Sequence, residues 1–216
     1  VLNSYSLETS KAKEVSDAMF MAVDLGKFRF EQLASSMNKA IPLAAQFPHA
    51  RFVGLDLSPV QIGQANERTA AAGLSNIEFR AASVTDVDAS WGTFDYIVCS
   101  DLLGYLEDIQ ATLVGLHAVS NRRTTILVTS WNWAWQPLLR AAETVGLKMP
   151  DPGQNWLGRN DIENLFALAD LEVRSREAAL LSPLELPTVG PLVNRVLVNV
   201  PALQHLALVH AWVVRP

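Results

Sequence analysis

The sequence predicts an α/β domain in which helices cover both faces of a mostly parallel sheet. Three observations carry this. Strand-like and helix-like stretches alternate from about residue 51 to residue 180. The helical stretches carry end signals: Ser58-Pro59 opens one and Gly73 closes it, while Gly146 closes another. The strand-like stretches are short, apolar and partly β-branched, as strands buried on both faces are.

Taken in order, residues 1–20 are polar and mixed, with Leu7, Val15, Met19 and Phe20 in loose helical spacing. Phe20-Met21-Ala22-Val23-Asp24-Leu25-Gly26 is a short apolar run, either a buried strand or a helix end. From Phe28 to Phe47 the apolar positions follow helical spacing, and Pro42 is expected to kink or divide that helix. Arg51 to Leu57 reads as a strand, with the helix from Ser58 to Gly73 after it. Ile77 to Ala81 and Phe94 to Cys99 are strands, and a helix covers about Glu107 to Val119. Thr124 to Thr129 is a buried strand, followed by a helix from about Trp135 to Val145. Asn160-Asp161-Ile162-Glu163 reads as a capping box with Asn160 as cap, opening a helix to about Ala169. Leu171–Leu180 and Leu206–Val214 are the last strands; residues 181–205, with four prolines, form an insertion between them.

The 216 residues suit one domain spanning 1–216, and with half of them hydrophobic a sizeable core can form. A net charge of −5 disfavours a nucleic-acid binder that relies on bulk positive charge. The single cysteine, Cys99, excludes an internal disulfide and a cysteine-only metal cluster, and its apolar strand makes it an inert small hydrophobe. No apolar run has the roughly 18 residues needed to span a bilayer. No targeting signal is visible, so a soluble cytoplasmic protein is expected.

Asp56 is the most informative residue. A carboxylate at the end of a parallel strand can accept both hydroxyl protons of a ribose. It can equally favour the N-terminus of the following helix through the helix dipole. His49, His117, His205 and His210 are scattered, without the i, i+4 spacing of a helical metal site, so no metal site is expected. No G-x-S-x-G elbow and no phosphate-cradling G-x-x-x-x-G-K-[ST] loop is present. Trp131, Trp133 and Trp135 cannot share one helix face; packing against the insertion is favoured over a substrate wall or a cation–π surface. Asn132 is the polar residue best placed there to orient a substrate hydroxyl.

The stretch Phe47-Pro48-His49-Ala50-Arg51-Phe52-Val53-Gly54-Leu55-Asp56-Leu57-Ser58-Pro59 resembles the second-strand region of class I S-adenosylmethionine-dependent methyltransferases. Phe94 to Cys99 resembles their fourth strand, and Asp101 to Asp108 the loop and helix start after it. Trp131 to Pro137, with Gln154-Asn155-Trp156-Leu157, resembles methyltransferase domains found beside glycosyltransferases. The resemblance covers roughly residues 45–216. It implies a Rossmann-like, seven-stranded sheet whose last strand runs antiparallel, and S-adenosylmethionine as cofactor. It implies that Asp56 holds the ribose hydroxyls and Leu57 lies against the adenine. Ser83 and Val84 would flank the adenine, and Ser100 and Asp101 would line the methionine side.

The chain departs from that pattern where the family has a glycine-rich turn after its first strand. There is no G-x-G anywhere. The best candidate is Val23-Asp24-Leu25-Gly26, which makes Asp24 and Gly26 the candidate cofactor contacts there. Phe28 and Phe30 stand at the family's glycine positions, and an alternative alignment puts the turn near Leu33 to Met37. Residues 1–45 are therefore an atypical opening segment. Ser83 replaces an acidic residue that often binds the adenine amino group.

The expected function is methyl transfer to a small molecule such as a sugar or natural-product hydroxyl. Asp101 is the first candidate for general base, with Tyr105 and Asn132 orienting substrate. Two alternatives stay open: a degenerate, non-catalytic binding or scaffolding domain, and an NAD(P)-dependent oxidoreductase, since Asp56 would serve that ribose as well. Segment 181–205 could form a lid or a homodimer interface.

Overall fold

The computed structural model describes residues 17–22, 36–146, 154–179 and 206–216. The elements run β1 (Asp17–Ala22), α1 (Ser36–Gln46), β2 (Arg51–Asp56), α2 (Pro59–Ala71), β3 (Ile77–Ala81), β4 (Tyr96–Ser100), α3 (Ile109–Ala118), β5 (Thr125–Trp131), α4 (Gln136–Thr144), α5 (Arg159–Leu168), β6 (Glu172–Ala179) and β7 (Val209–Arg215). The strands join in the order β3-β2-β1-β4-β5-β7-β6. β1 to β5 are parallel, and β7 runs antiparallel to both of its neighbours. The order reverses between β1 and β4. In such sheets the crevice beyond the carboxyl ends at that point is where ligands bind.

Alternation along the strands sorts the side chains onto two faces. Phe52 of β2 and Ile77 and Phe79 of β3 pack with Ala40 and Ala44 of α1 and Ile62 and Ala65 of α2. On the opposite face Val53 and Leu55 of β2, Ile97 and Cys99 of β4, and Ile126 and Val128 of β5 pack with Leu113 and Leu116 of α3 and Ile162 and Phe166 of α5. Gly54 belongs to the first face. A side chain there would overlap the Phe79 ring at Cδ1 and Cε1, so the ring fills the space the glycine leaves.

Local signals explain the ends. The Ser58 hydroxyl accepts from the Gln61 N–H at 3.3 Å, with Pro59 in the first turn of α2. Gly73, at φ +66°, follows that helix in the left-handed region a β-carbon disfavours. Asn76 gathers the amino-terminal end of the sheet: its amide donates to the carbonyls of Ala44, Phe47 and Ala50 at 3.0, 3.1 and 3.0 Å.

Several expected boundaries move. β1 begins three residues before the run Phe20–Gly26, and α1 is described from Ser36, the stretch 28–35 of the expected helix lying outside the described residues. α1 runs through Pro42, which is exposed. β4 starts at Tyr96, with Phe94 buried just before it and its N–H bonded to the Val119 carbonyl at 3.0 Å. The cap of α5 is Gly158 rather than Asn160: Asp161 Oδ2 accepts from the Gly158 N–H at 3.0 Å. A β-carbon on residue 158 would lie 2.9 Å from that oxygen, which is why glycine suits the cap. Glu163, the expected capping partner, instead accepts from Arg176 Nη2 at 2.6 Å and Trp212 Nε1 at 3.2 Å, tying α5 to β6 and β7.

The insertion 181–205, His205, and the opening turn with Asp24, Gly26, Phe28 and Phe30 lie outside the described residues, as does most of the atypical segment 1–45. No helix among the described residues is long and apolar enough to cross a membrane.

Candidate functional site

Register brings the sequence-singled residues to one edge. Asp56, the last residue of β2, pairs with Ala81 of β3. Met21 pairs with Leu55 on one side of β1, and Ala22 pairs with Ser100 on the other. Asp56 and Ser100 therefore end their strands at the same level, on either side of β1. At one strand spacing per step they are about 10 Å apart. Both border the crevice at the reversal of strand order.

Asp56 is 3% exposed, and its Oδ1 accepts from the Ser58 N–H at 2.8 Å. The carboxylate is thus aimed by the turn that starts α2. Leu57, next to it, is 62% exposed, a large apolar side chain left on the rim beside a buried acid. Val84 is buried. Ser83 opens a 3₁₀ turn over Val84–Asp86: its hydroxyl accepts from the Thr85 N–H at 3.2 Å, and its N–H donates to Asp86 Oδ2 at 3.2 Å. Ser83 is thus a backbone cap, and its loop presents a short turn after β3. The set fits an adenosyl group by its chemistry, with an acidic acceptor for hydroxyl donors and an exposed aliphatic face beside it.

Across the crevice Asp101 follows Ser100 with φ +52°, a left-handed conformation that aspartate tolerates better than most residues. It is held by Thr129 of β5. The Asp101 N–H donates to the Thr129 carbonyl at 3.1 Å and to its Oγ1 at 3.0 Å, and the Thr129 hydroxyl donates to Asp101 Oδ1 at 3.1 Å. Thr129 has no mark in the sequence; only the pairing of β4 with β5 reveals it. Leu102–Leu106 then forms a 3₁₀ turn over Leu103–Tyr105, which carries half-buried Tyr105.

The other expected residues separate. Asn132 is buried, its Nδ2 donating to the Ala207 carbonyl at 2.8 Å and its Oδ1 accepting from the Ala134 N–H at 3.0 Å. The first of these bonds ties the end of β5 to the entry of β7. Trp131 packs with Leu208, Val209, Trp135, Leu139 and Trp156, and Trp133 is 55% exposed; the expected packing against the insertion falls on residues outside the described ones. His49 and His117 are exposed, and His210 is buried against Trp212 with ring centroids 6.0 Å apart. Among the described residues no group of three His, Cys, Asp or Glu side chains could hold a metal ion.

Cys99 precedes Ser100 but faces the core, fully buried, and burial pushes its thiol up from 9.0 to about 12. The thiolate is the nucleophile, so Cys99 is silent at neutral pH. Because the folded value is the raised one, the linked stability is complete below about pH 9 and is lost as pH climbs toward 12. We expect no labelling of native protein by a thiol-specific disulfide reagent at pH 8 and stoichiometric labelling in denaturant. Rapid labelling of native protein would contradict the packing of β4.

Residues 38–124 match the family model of a methyltransferase domain. Over 69 residues the chain is 51% identical to "Uncharacterized protein RP789" of Rickettsia prowazekii, a stretch that is 32% of this chain and 12% of that protein. The fold is similar to PKMT2 from Rickettsia typhi in complex with AdoHcy, at TM-score 0.62 and 15% identity, covering 94% of this chain and 49% of that one. It is also similar to magnesium protoporphyrin IX methyltransferase from Synechocystis with bound SAH, at TM-score 0.62 and 14% identity, covering 99% of this chain and 80% of that one. The chain thus spans about half the length of the first structure and about an eighth of the Rickettsia prowazekii relative. It has the fold of the class I S-adenosylmethionine-dependent methyltransferases, with a match to the methyltransferase-domain family across residues 38–124.

Proposed function

We propose that this chain binds S-adenosylmethionine across the carboxyl ends of β2 and β4 and serves methyl transfer to a small-molecule hydroxyl. The observation that carries the reading is the shared level of Asp56 and Ser100 on either side of β1. The cofactor supplies an activated methyl group on a sulfonium, and the protein supplies alignment and exclusion of water. Asp56 receives the ribose hydroxyls, with Leu57 and Val84 against the base. Ser100 and Asp101 border the methionine portion. Asp101 is the carboxylate closest along the chain to that end and takes the role of base toward an acceptor hydroxyl, with Tyr105 on the same loop orienting it. The presence of S-adenosylhomocysteine in two similar structures supports the cofactor assignment.

Isothermal titration of the full chain with S-adenosylhomocysteine tests the reading. Saturable one-to-one binding, with a rise in Tm that grows with ligand concentration, is the expected result. A folded protein giving neither heat nor shift at millimolar ligand would overturn it in favour of a module that has lost the cofactor. An enhancement of NADH fluorescence without S-adenosylhomocysteine binding would overturn it in favour of a nicotinamide enzyme.

A further inference from the structure

Asn155, in the Gln154-Asn155-Trp156-Leu157 stretch, has no part in the cofactor contacts above, yet it bonds twice to the loop that carries Asp101 and Tyr105. Its N–H donates to the Gly104 carbonyl at 2.6 Å, and its side-chain Nδ2 donates to the Leu106 carbonyl at 3.1 Å. These are the carbonyls of the middle residue of the 3₁₀ turn Leu103–Tyr105 and of the residue that follows it, where a helical turn has spent its own donors. Main chain and side chain of one residue thus cap the turn from another segment. Gly104 permits the approach: a β-carbon there would lie 3.3 Å from the Asn155 carbonyl oxygen and 3.5 Å from Gln154 Cγ.

The clamp has firm footing on its other side. Trp156 packs toward the cluster of Trp131, Leu208 and Val209, Leu157 packs on the main core, and the Gly158 N–H is held by Asp161. The loop after β4 is therefore fixed at its start by Thr129 and near its end by Asn155. Holding a short loop at both ends is what a preorganised binding edge requires.

We propose that Asn155 is a positioning residue: by capping the turn after β4 it fixes Asp101 and Tyr105 for the cofactor and acceptor, a role that rests on the methyltransferase reading. Asn155→Ala removes the Leu106 bond and leaves the main-chain bond. Asn155→Asp keeps the shape and sets an oxygen against the Leu106 carbonyl. The control is Asn76→Ala, which removes three hydrogen bonds at the opposite end of the sheet.

Two measurements on each full-length variant decide the matter. In hydrogen exchange, amides within 102–108 are expected to exchange roughly tenfold faster in both Asn155 variants and at the wild-type rate in Asn76→Ala. In calorimetry, S-adenosylhomocysteine affinity is expected to fall roughly tenfold in both Asn155 variants with a small change in Tm. Asn76→Ala is expected to lower Tm more and leave the affinity of the folded protein unchanged. Unchanged exchange in 102–108 refutes the clamp, whatever the ligand does. Faster exchange with wild-type affinity refutes the positioning role. If wild-type protein fails to bind, the cofactor reading falls and the positioning role with it, while the exchange arm still decides whether Asn155 clamps the turn.

Discussion

Asp56→Ala is expected to weaken S-adenosylhomocysteine binding about 100-fold or more. Two ribose hydroxyls donating to one carboxylate form charge-assisted hydrogen bonds, each contributing about 1.5–3 kcal/mol, and tenfold in affinity corresponds to about 1.4 kcal/mol. The stability change is expected to be smaller, since the intramolecular bond from Ser58 that aims the carboxylate, at 2.8 Å, contributes about 1 kcal/mol. Asp56→Asn separates the two roles: an amide oxygen still accepts from Ser58 but carries no charge, so stability is expected to be restored and affinity only partly. Calorimetry beside urea denaturation reads both quantities. If Asp56→Ala loses several kcal/mol of stability while its folded fraction binds normally, the carboxylate serves the start of α2 and not a nucleoside.

Gly54→Val is expected to cost about 3 kcal/mol, the upper part of the usual range for overpacking a core. The added side chain would enter the volume of the Phe79 ring, which is 5% exposed and packed with Phe52, Ile62 and Ala65, so the ring has nowhere to swing. A domain whose whole stability is about 5–15 kcal/mol registers such a loss as a large shift in the urea midpoint. Phe79→Leu in the Gly54→Val background is expected to recover part of it, so that the double variant is more stable than the sum of the two single losses implies. Strict additivity would show that the two side chains do not compete for one space. Because Asp56 lies two residues beyond Gly54 on the same strand, the same substitution is expected to weaken ligand binding as well.

The elements of the sheet were legible because each strand is bounded by turn chemistry and each helix by caps, and those signals are local. Ser58-Pro59 fixes the end of β2 and so puts Asp56 at a sheet edge from local sequence alone. The α5 cap was misplaced by two residues for an instructive reason. Asn160-Asp161-Ile162-Glu163 and Gly158-Arg159-Asn160-Asp161 both offer an acid three residues past a permissible cap, and only the position of Asp161 Oδ2 against the Gly158 N–H separates the frames. The partners of the site were not legible at all. Thr129 lies 28 residues from Asp101 and Asn155 lies 49 from Leu106, so their contacts depend on which strand neighbours which and on how a loop returns over the sheet. The left-handed backbone of Asp101 had a faint mark, since aspartate is among the few residues that accept it.

The strand order also sets a timetable for synthesis. Among the described strands β6 pairs only with β7, and β7 occupies the place between β5 and β6. A nascent chain that has completed β6 cannot seat it until residue 215 has followed, 36 residues after Ala179. At cellular elongation rates that interval is about 2–7 seconds. Throughout it the far side of β5 offers unpaired amides and carbonyls to any neighbouring chain, which makes this waiting period the point at which crowded ribosomes would most readily yield aggregate.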